Sequence, residues 1–278
     1  MNLAEYRKMA NIEGALPNAI FNVSPTKKVV FSKGNLQFRE DRLGVKTIDG
    51  RYCLGRWRFS EHQCDVISGK GYGDFRSKLS DEDWVDSFGW GTSGWRDGVT
   101  ACYPWSVSRF WGNYFLNKES AVGKYAYADW GVYNPISNGG NLPNLWRTPT
   151  AEEWCYLLNH ARWTFACVNK IDCLLLLPQK FTAPDRASVV EINGTFPFER
   201  NSKECPYNDY DVQQFSALED LGVVALPMHG KGGIYWTSSC DTFPNALLFG
   251  YDVDNNLIVD MSEFPGSMRN AVRLVHDL

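Results

Sequence analysis

Apolar and polar positions change places in short runs along most of this chain, and only twice does the spacing become helical. Val29–Ser32, Leu36–Arg39 and Tyr52–Phe59 are strand-sized runs, and Lys33-Gly34-Asn35 between the first two is a turn signal. At Thr150 the period changes. Thr150-Ala-Glu-Glu153 is a capping box, in which the Thr hydroxyl accepts from the Glu153 amide and the Glu153 carboxylate reaches back. Trp154, Leu157, Leu158 and Ala161 then fall at i, i+3, i+4 and i+7, one apolar stripe of a helix. A strand over Cys173–Leu177 ends at Pro178, and a second helix is predicted over Asp211–Leu221, stopped by Gly222. Val223–Leu226, Ile234–Ser238, Ala246–Asp252 and Leu257–Met261 read as strands, with Ala271–Val275 as a fifth. Asn255-Asn256 suits a tight turn between two of them, because Asn tolerates left-handed dihedrals. Residues 3–10 suit a short helix, and 11–26 read as a linker carrying Gly14, Pro17 and Pro25. The segment 67–145 has neither period, but its Trp and Tyr content predicts ordered, packed loops. Two helices among many short strands place the chain in the α+β class.

Composition narrows this further. The 278 residues are 44% hydrophobic and 22% charged, which excludes disordered and fibrous classes. The net charge of −4 gives no general attraction to nucleic acid or to an anionic membrane. The 11 Trp, 13 Tyr and 16 Phe supply a large core. The richest apolar run, Cys173–Leu177, is far short of a membrane span, and the first residues hold no apolar run of signal-peptide length. The expectation is folding in the cytoplasm without a signal peptide, with release by lysis, as for a virion protein. The cysteines are Cys53, Cys64, Cys102, Cys155, Cys167, Cys173, Cys205 and Cys240, expected as reduced and mostly buried thiols. There is no C-x-x-C, and His62, His160, His229 and His276 are scattered, so no zinc motif occurs.

Trp146-Arg-Thr-Pro-Thr-Ala-Glu-Glu-Trp154 resembles the start of the main helix in C-type-lectin-like domains of the formylglycine-generating-enzyme type. By pattern it is most similar to the so-called Fibrobacter succinogenes major paralogous domains. Further matching pieces follow in the family's order. They are Val30-Phe-Ser-Lys-Gly-Asn-Leu-Gln37, Phe88-Gly-Trp-Gly-Thr-Ser-Gly94, Ala128-Asp-Trp-Gly131, Ile136-Ser-Asn-Gly-Gly140, Leu175-Leu-Leu-Pro178, Tyr235-Trp-Thr-Ser-Ser239 and Ala271-Val-Arg-Leu-Val275. The resemblance implies a C-type lectin fold over residues 27–278: two helices, small antiparallel sheets and a long loop-rich insertion. Residues 1–26 would be an N-terminal segment for docking or oligomerisation.

The frame from Tyr235 to Val275 is also similar to that of variable proteins diversified by retroelements, which place the ligand-binding region at about 235–276. That resemblance implies a binding face of Cys240, Asp241, Phe243, Leu248, Gly250, Asp260, Ser262, Phe264, Ser267, Met268 and Asn270. The chain departs from the family at Arg269 and Ala271, where Gly and Ser are usual. The residues themselves point the same way in part. Leu247, Phe249 and Tyr251 alternate with Leu248, Gly250 and Asp252, so one set faces a core and the other outward. Phe264 and Met268 sit in a Pro/Gly-containing loop, where they serve either contact or packing.

Other candidate chemistries have plainer readings. Asp252, Asp254, Asn256, Asp260 and Glu263 fit positions of a calcium loop, but Leu257 replaces the required Gly, and a solvated hairpin is the simpler reading. Gly69-x-Gly71-x-Gly73 lacks the Lys and the helix of a phosphate cradle. Ser238 and Ser239 lie near His229 in sequence but have no placed acid. Glu152 and Glu153 are explained by a helix N-terminus, and Trp146 and Trp154 by a core. Formylglycine-generating chemistry needs a close cysteine pair near the C-terminus, whereas Cys205 and Cys240 are far apart in sequence.

The expectation is therefore a non-catalytic binding protein without cofactor or metal: a phage-encoded adhesin or tail-fibre-type variable protein. Its partners would be a host cell-surface protein or glycan and other virion proteins, with no nucleic acid or membrane, and a homotrimer is a natural assembly. A bacterial surface carbohydrate-binding or structural module, and an enzyme of the formylglycine-generating type, are the alternatives.

Overall fold

The computed structural model describes residues 12–46, 52–67, 84–90, 129–184, 189, 208–229, 232–240, 243–251, 257–265 and 270–278. For 40–46, 52–54, 133, 251 and 257 this covers the backbone alone. The described residues form a mixed α+β protein of small sheets and few helices. No helix among them is long and apolar enough to cross a membrane.

The chain begins the fold earlier than its Gly and Pro content predicts. Strand β1 (Ala15–Asn22) pairs antiparallel with β2 (Lys28–Ser32), where the sequence reads as a linker. Two features reconcile strand and composition. The register shifts between Ala15 and Ile20, with Asn18 at φ +61°, so the irregularity absorbs the stretch around Pro17. β1 is also an edge strand, where a missing proline amide is tolerated. Leu16, Ala19, Phe21 and Val23 are buried, so the segment contributes to the core. The predicted helix at 3–10 lies outside the described residues.

β2 also pairs with β12 (Val275–Asp277), giving the sheet order β1-β2-β12. The predicted strand at Ala271–Val275 is displaced toward the C-terminus because residues 270–274 are tied one by one to different partners. Asn270 and Ala271 make single bridges to Phe88 and Tyr235, and the Val272 and Leu274 carbonyls accept from Leu36 and Ser32. β3 (Leu36–Lys46) and β4 (Tyr52–Phe59) form a separate two-stranded pair.

Helix α1 (Trp130–Tyr133) is a single turn capped by Asp129. Helix α2 (Ala151–His160) carries both halves of the Thr150–Glu153 capping box. Its stripe is inward as predicted: Trp154 and Leu157 are buried, and Leu158 and Ala161 pack against the same core. β5 (Arg162–Val168) and β6 (Ile171–Leu177) follow as a hairpin. Asn169 and Lys170 both have positive φ, as a two-residue turn matched to strand twist requires. β7 (Asn208–Tyr210), helix α3 (Val212–Glu219) and β8 (Val224–Pro227) complete a sheet of order β7-β5-β6-β8. α3 has its own capping box, Asp211 with Gln214.

Three apolar cores result. One joins α2 to β1, β2 and the sheets above it. A second is aromatic, built from Phe38, Trp57, Phe59, Phe88, Trp90, Trp130, Trp146 and Trp236. The third lies between α3 and β5, β6 and β8. The aromatic core draws on residues 84–90 and 129–146, so the described parts of the loop-rich segment are packed as their composition predicts.

Asp129 fixes the end of that segment. Its carboxylate accepts from the amides of Gly131 (2.9 Å) and Thr148 (2.8 Å) and from the Thr148 hydroxyl (3.2 Å). Burial nevertheless pushes its pKa from 3.8 up to about 6, against the downward pull of these donors. A carboxyl with a raised folded pKa binds its proton more tightly in the native state. The stability that Asp129 withholds at neutral pH is therefore recovered as pH falls from about 6 to about 4. Asp129→Asn should flatten urea-derived stability across that window by about 1–2 kcal/mol. The effect is smaller than the pKa difference alone implies, because Asp129 is half-buried and water screens it. An unchanged slope in the variant would show that the carboxyl titrates normally.

Candidate functional site

The site rests on the sheet of β9 (Gly232–Cys240), β10 (Pro244–Tyr251) and β11 (Leu257–Glu263), with β10 in the centre. β10 and β11 pair from Asn245↔Glu263 to Tyr251↔Leu257, and the joining residues 252–256 lie outside the described ones. Directly opposed residues share a face. Leu247 and Phe249, with Tyr235 and the half-buried Val259 and Met261, therefore face α2 and the first core. Trp236, Ala246, Ile234, Leu248, Asp260 and Ser262 share the opposite face. The alternation read from sequence is thus the alternation of this strand.

Along that second face burial is graded. Trp236 and Ala246 lie in the aromatic core, Ile234, Leu248, Ile258 and Ser262 are half-buried, and Asp260 is exposed. Phe243 is 41% exposed just before β10, whose first residue, Pro244, pairs with the half-buried Cys240 at the end of β9. Phe264 follows β11; its amide donates to the Pro244 carbonyl (2.9 Å) and its ring packs partly against the aromatic core. The structure therefore brings Cys240, Phe243, Leu248, Asp260, Ser262 and Phe264 together on one sheet face and its rim.

Other candidates stand apart. Asn270 is 2% exposed and exchanges both backbone hydrogen bonds with Phe88, so it belongs to the frame. Gly250 is buried on β10 with φ +146°, a conformation that side chains rarely adopt, so a larger residue there is strained. Asp241, Ser267 and Met268 lie outside the described residues, as do Asp252, Asp254 and Asn256 of the calcium-loop spacing. Asp260 and Glu263 are three positions apart on an extended strand and point to opposite faces, which does not suit a shared ion. Among the described residues no group of three or more His, Cys, Asp or Glu is placed to hold a metal.

The frame under this face is pinned by the Tyr235–Ser239 motif. Tyr235 donates to the Pro227 carbonyl (3.1 Å) and accepts from Asn35 (2.9 Å). The Trp236 indole donates to the Phe88 carbonyl (2.6 Å), and the Trp90 indole donates to the Thr237 carbonyl (2.9 Å). Ser238 donates to the Thr148 carbonyl (3.2 Å), and the Ser239 hydroxyl accepts from the Ala151 amide (2.9 Å), which fastens β9 to the first turn of α2. Trp146 and Trp154 are wholly core residues, as read from sequence.

Comparison of the chain with protein-family models, with curated proteins and with solved structures finds no match.

Two polar clusters escaped the sequence. Arg147 donates to both Glu153 oxygens (2.6 and 2.8 Å) and to Asp277 (2.6 Å), while Lys27 reaches Glu153 at 3.1 Å. Burial would raise the Glu153 carboxyl, but Arg147 and the Thr150 amide hold it below the usual carboxylate range. The second cluster is the wholly buried Arg273, which donates to Asn35 (3.2 Å) and Gln63 (2.5 Å). Burial lowers its pKa to about 10, so it stays charged at neutral pH. Its one visible signal is a cation between Val272 and Leu274 in an otherwise apolar run.

Proposed function

We propose that this chain is a non-catalytic binding protein that presents the outer face of the β9-β10-β11 sheet to a protein or glycan on a cell surface. The setting that fits is a phage adhesin or a retroelement-diversified variable protein of C-type-lectin type. One observation carries the reading: the strand register gathers Leu248, Asp260 and Ser262, with Phe243 and Phe264 at the rim, beside the tryptophan core that anchors the Trp236–Ala246 end of the same face. Apolar and aromatic side chains held half-exposed on a rigid support give contact area at little entropic cost. Positions whose partners lie in the frame, such as Leu247 and Phe249, are separated from these by a single step along the strand, so one set can vary without the other. The helices α2 and α3 among small sheets and the sheet order β1-β2-β12 support the C-type-lectin reading of the scaffold.

The test is binding of labelled protein to a glycan array and to intact gut bacterial cells. Phe243→Ser, Leu248→Lys and Asp260→Lys should each lower binding about tenfold or more, as central contact residues do, while shifting the unfolding midpoint little. Equal binding by all three variants would remove this face from consideration. Natural variants of the chain should differ at 243, 248, 260, 262 and 264 and agree at 236, 247 and 249.

A further inference from the structure

We propose that Cys64 and Cys173 are a thiol-oxidation site that closes a disulfide by exchange with a small-molecule disulfide such as oxidised glutathione. The two Sγ atoms lie 3.6 Å apart although 109 positions separate them in the chain. This proximity is built rather than incidental. Gln63, the neighbour of Cys64, is held by several hydrogen bonds: its amide donates to the Val223 carbonyl (3.0 Å) and to Glu219 (3.0 Å), and its oxygen accepts from the Ala225 amide (2.8 Å) and from Arg273. On the other side, the Asp65 carboxylate accepts from the His62 amide (2.8 Å). Cys173 sits on the central strand β6, paired with Pro227 of β8 and Ala166 of β5. Both backbones are thus fixed, and a bond of about 2.0 Å needs only a small approach of the sulphurs.

The two thiols also differ in the way sequential exchange requires. Cys64 is half-buried and Cys173 is buried. Burial pushes the Cys173 thiol well up, so it is the poorer first nucleophile. The Arg273 guanidinium lies near enough to interact with both sulphurs, a positive charge that favours anionic sulphur during exchange. In the first step the Cys64 sulphur, losing its proton, attacks one sulphur of the small disulfide. One thiol is released, and a mixed disulfide remains on Cys64. In the second step Cys173 loses its proton and attacks the Cys64 sulphur, releasing the second small thiol. Two protein thiols are oxidised and one small disulfide is reduced to two thiols, which carry away both protons. The product staples the turn after β4 to the middle of the β7-β5-β6-β8 sheet.

The full chain is incubated natively with excess oxidised glutathione at pH 8, alkylated and digested. A peptide pair linked through Cys64 and Cys173 should be the dominant disulfide, with a rise in Tm of roughly 5–10 °C that dithiothreitol reverses. Cys173→Ala should stop at a stable glutathione adduct on Cys64, and Cys64→Ser should show neither the link nor the rise. The proposal is overturned if the wild type stops at that adduct, if a different cysteine pair dominates, or if Cys64→Ser gains the same Tm on oxidation.

Discussion

Trp236→Ala is expected to destabilise the protein by about 3–5 kcal/mol, the range for removing a buried tryptophan from a core that cannot collapse around the gap. Trp236 has no exposed surface and stands in the aromatic core that joins the candidate face to β3 and β4. That core is locked by ring contacts: Phe38 lies 4.7 Å from Trp57, Trp57 5.5 Å from Phe88, and Phe88 6.2 Å from Trp130. Loss of the indole also strips the Phe88 carbonyl of its 2.6 Å donor. Trp236→Phe keeps most of the volume and loses the donor, so it should cost about 1–2 kcal/mol. Urea unfolding followed by circular dichroism measures both. A cost below about 1 kcal/mol for the alanine variant would mean that the core is not close-packed.

Gly222→Ala should cost about 2–4 kcal/mol, far more than an alanine normally does. Gly222 ends the α3 turn at φ +86°, where a Cβ is disfavoured. An added Cβ would also fall 2.2 Å from the Asn18 carbonyl oxygen and 2.9 Å from the Ala19 amide nitrogen. Both are backbone atoms of β1, and they cannot swing aside. Gly140→Ala is the matched control. Its φ is +84°, but the added Cβ would meet only the Leu145 Cδ1, the end of a flexible side chain, so about 1 kcal/mol is expected. Similar losses at the two positions would show that β1 yields readily at Asn18.

The contrast between Gly222 and the linker reading of 11–26 shows where sequence is informative. Helix starts are local chemistry, so Thr150 and Glu153 announce α2 within four residues, and the structure forms both bonds. Strand alternation on β10 is equally local, and it separates Leu247 and Phe249 from Leu248. β1 is different: its strand state depends on β2 alongside and α3 packed beyond, while Gly14, Pro17 and Asn18 signal a loop locally. β5 is weakly signalled for the same reason, since Asn169-Lys170 is a weaker hairpin signal than a pair containing Gly. The cysteines mislead in another way. Of the five thiols described, only Cys173 is buried and four are half-buried, whereas mostly buried thiols are expected from the sequence. Side-chain accessibility is set by packing partners distant in the chain, and spacing does not encode it. The candidate face was legible as an alternation; its edges, where Asn270 turns inward and Phe264 half-packs, required the fold.

The sheet β1-β2-β12 has a consequence for biosynthesis. β2 waits for Val275–Asp277 as its second neighbour, and Arg147 bridges to Val275 while gripping Asp277 and Glu153 together. On the ribosome, β1 and β2 emerge first as a two-stranded pair, which is marginal in water by itself. Phe21, Val29 and Phe31 gain cover from Trp154 and Leu157 of α2, but the second edge of β2 stays unpaired until Val275–Asp277 have been made. Closure of this sheet thus joins segments far apart in the chain. Until then the open edge of β2 can pair with other strands, which makes the nascent protein a natural client for holding chaperones.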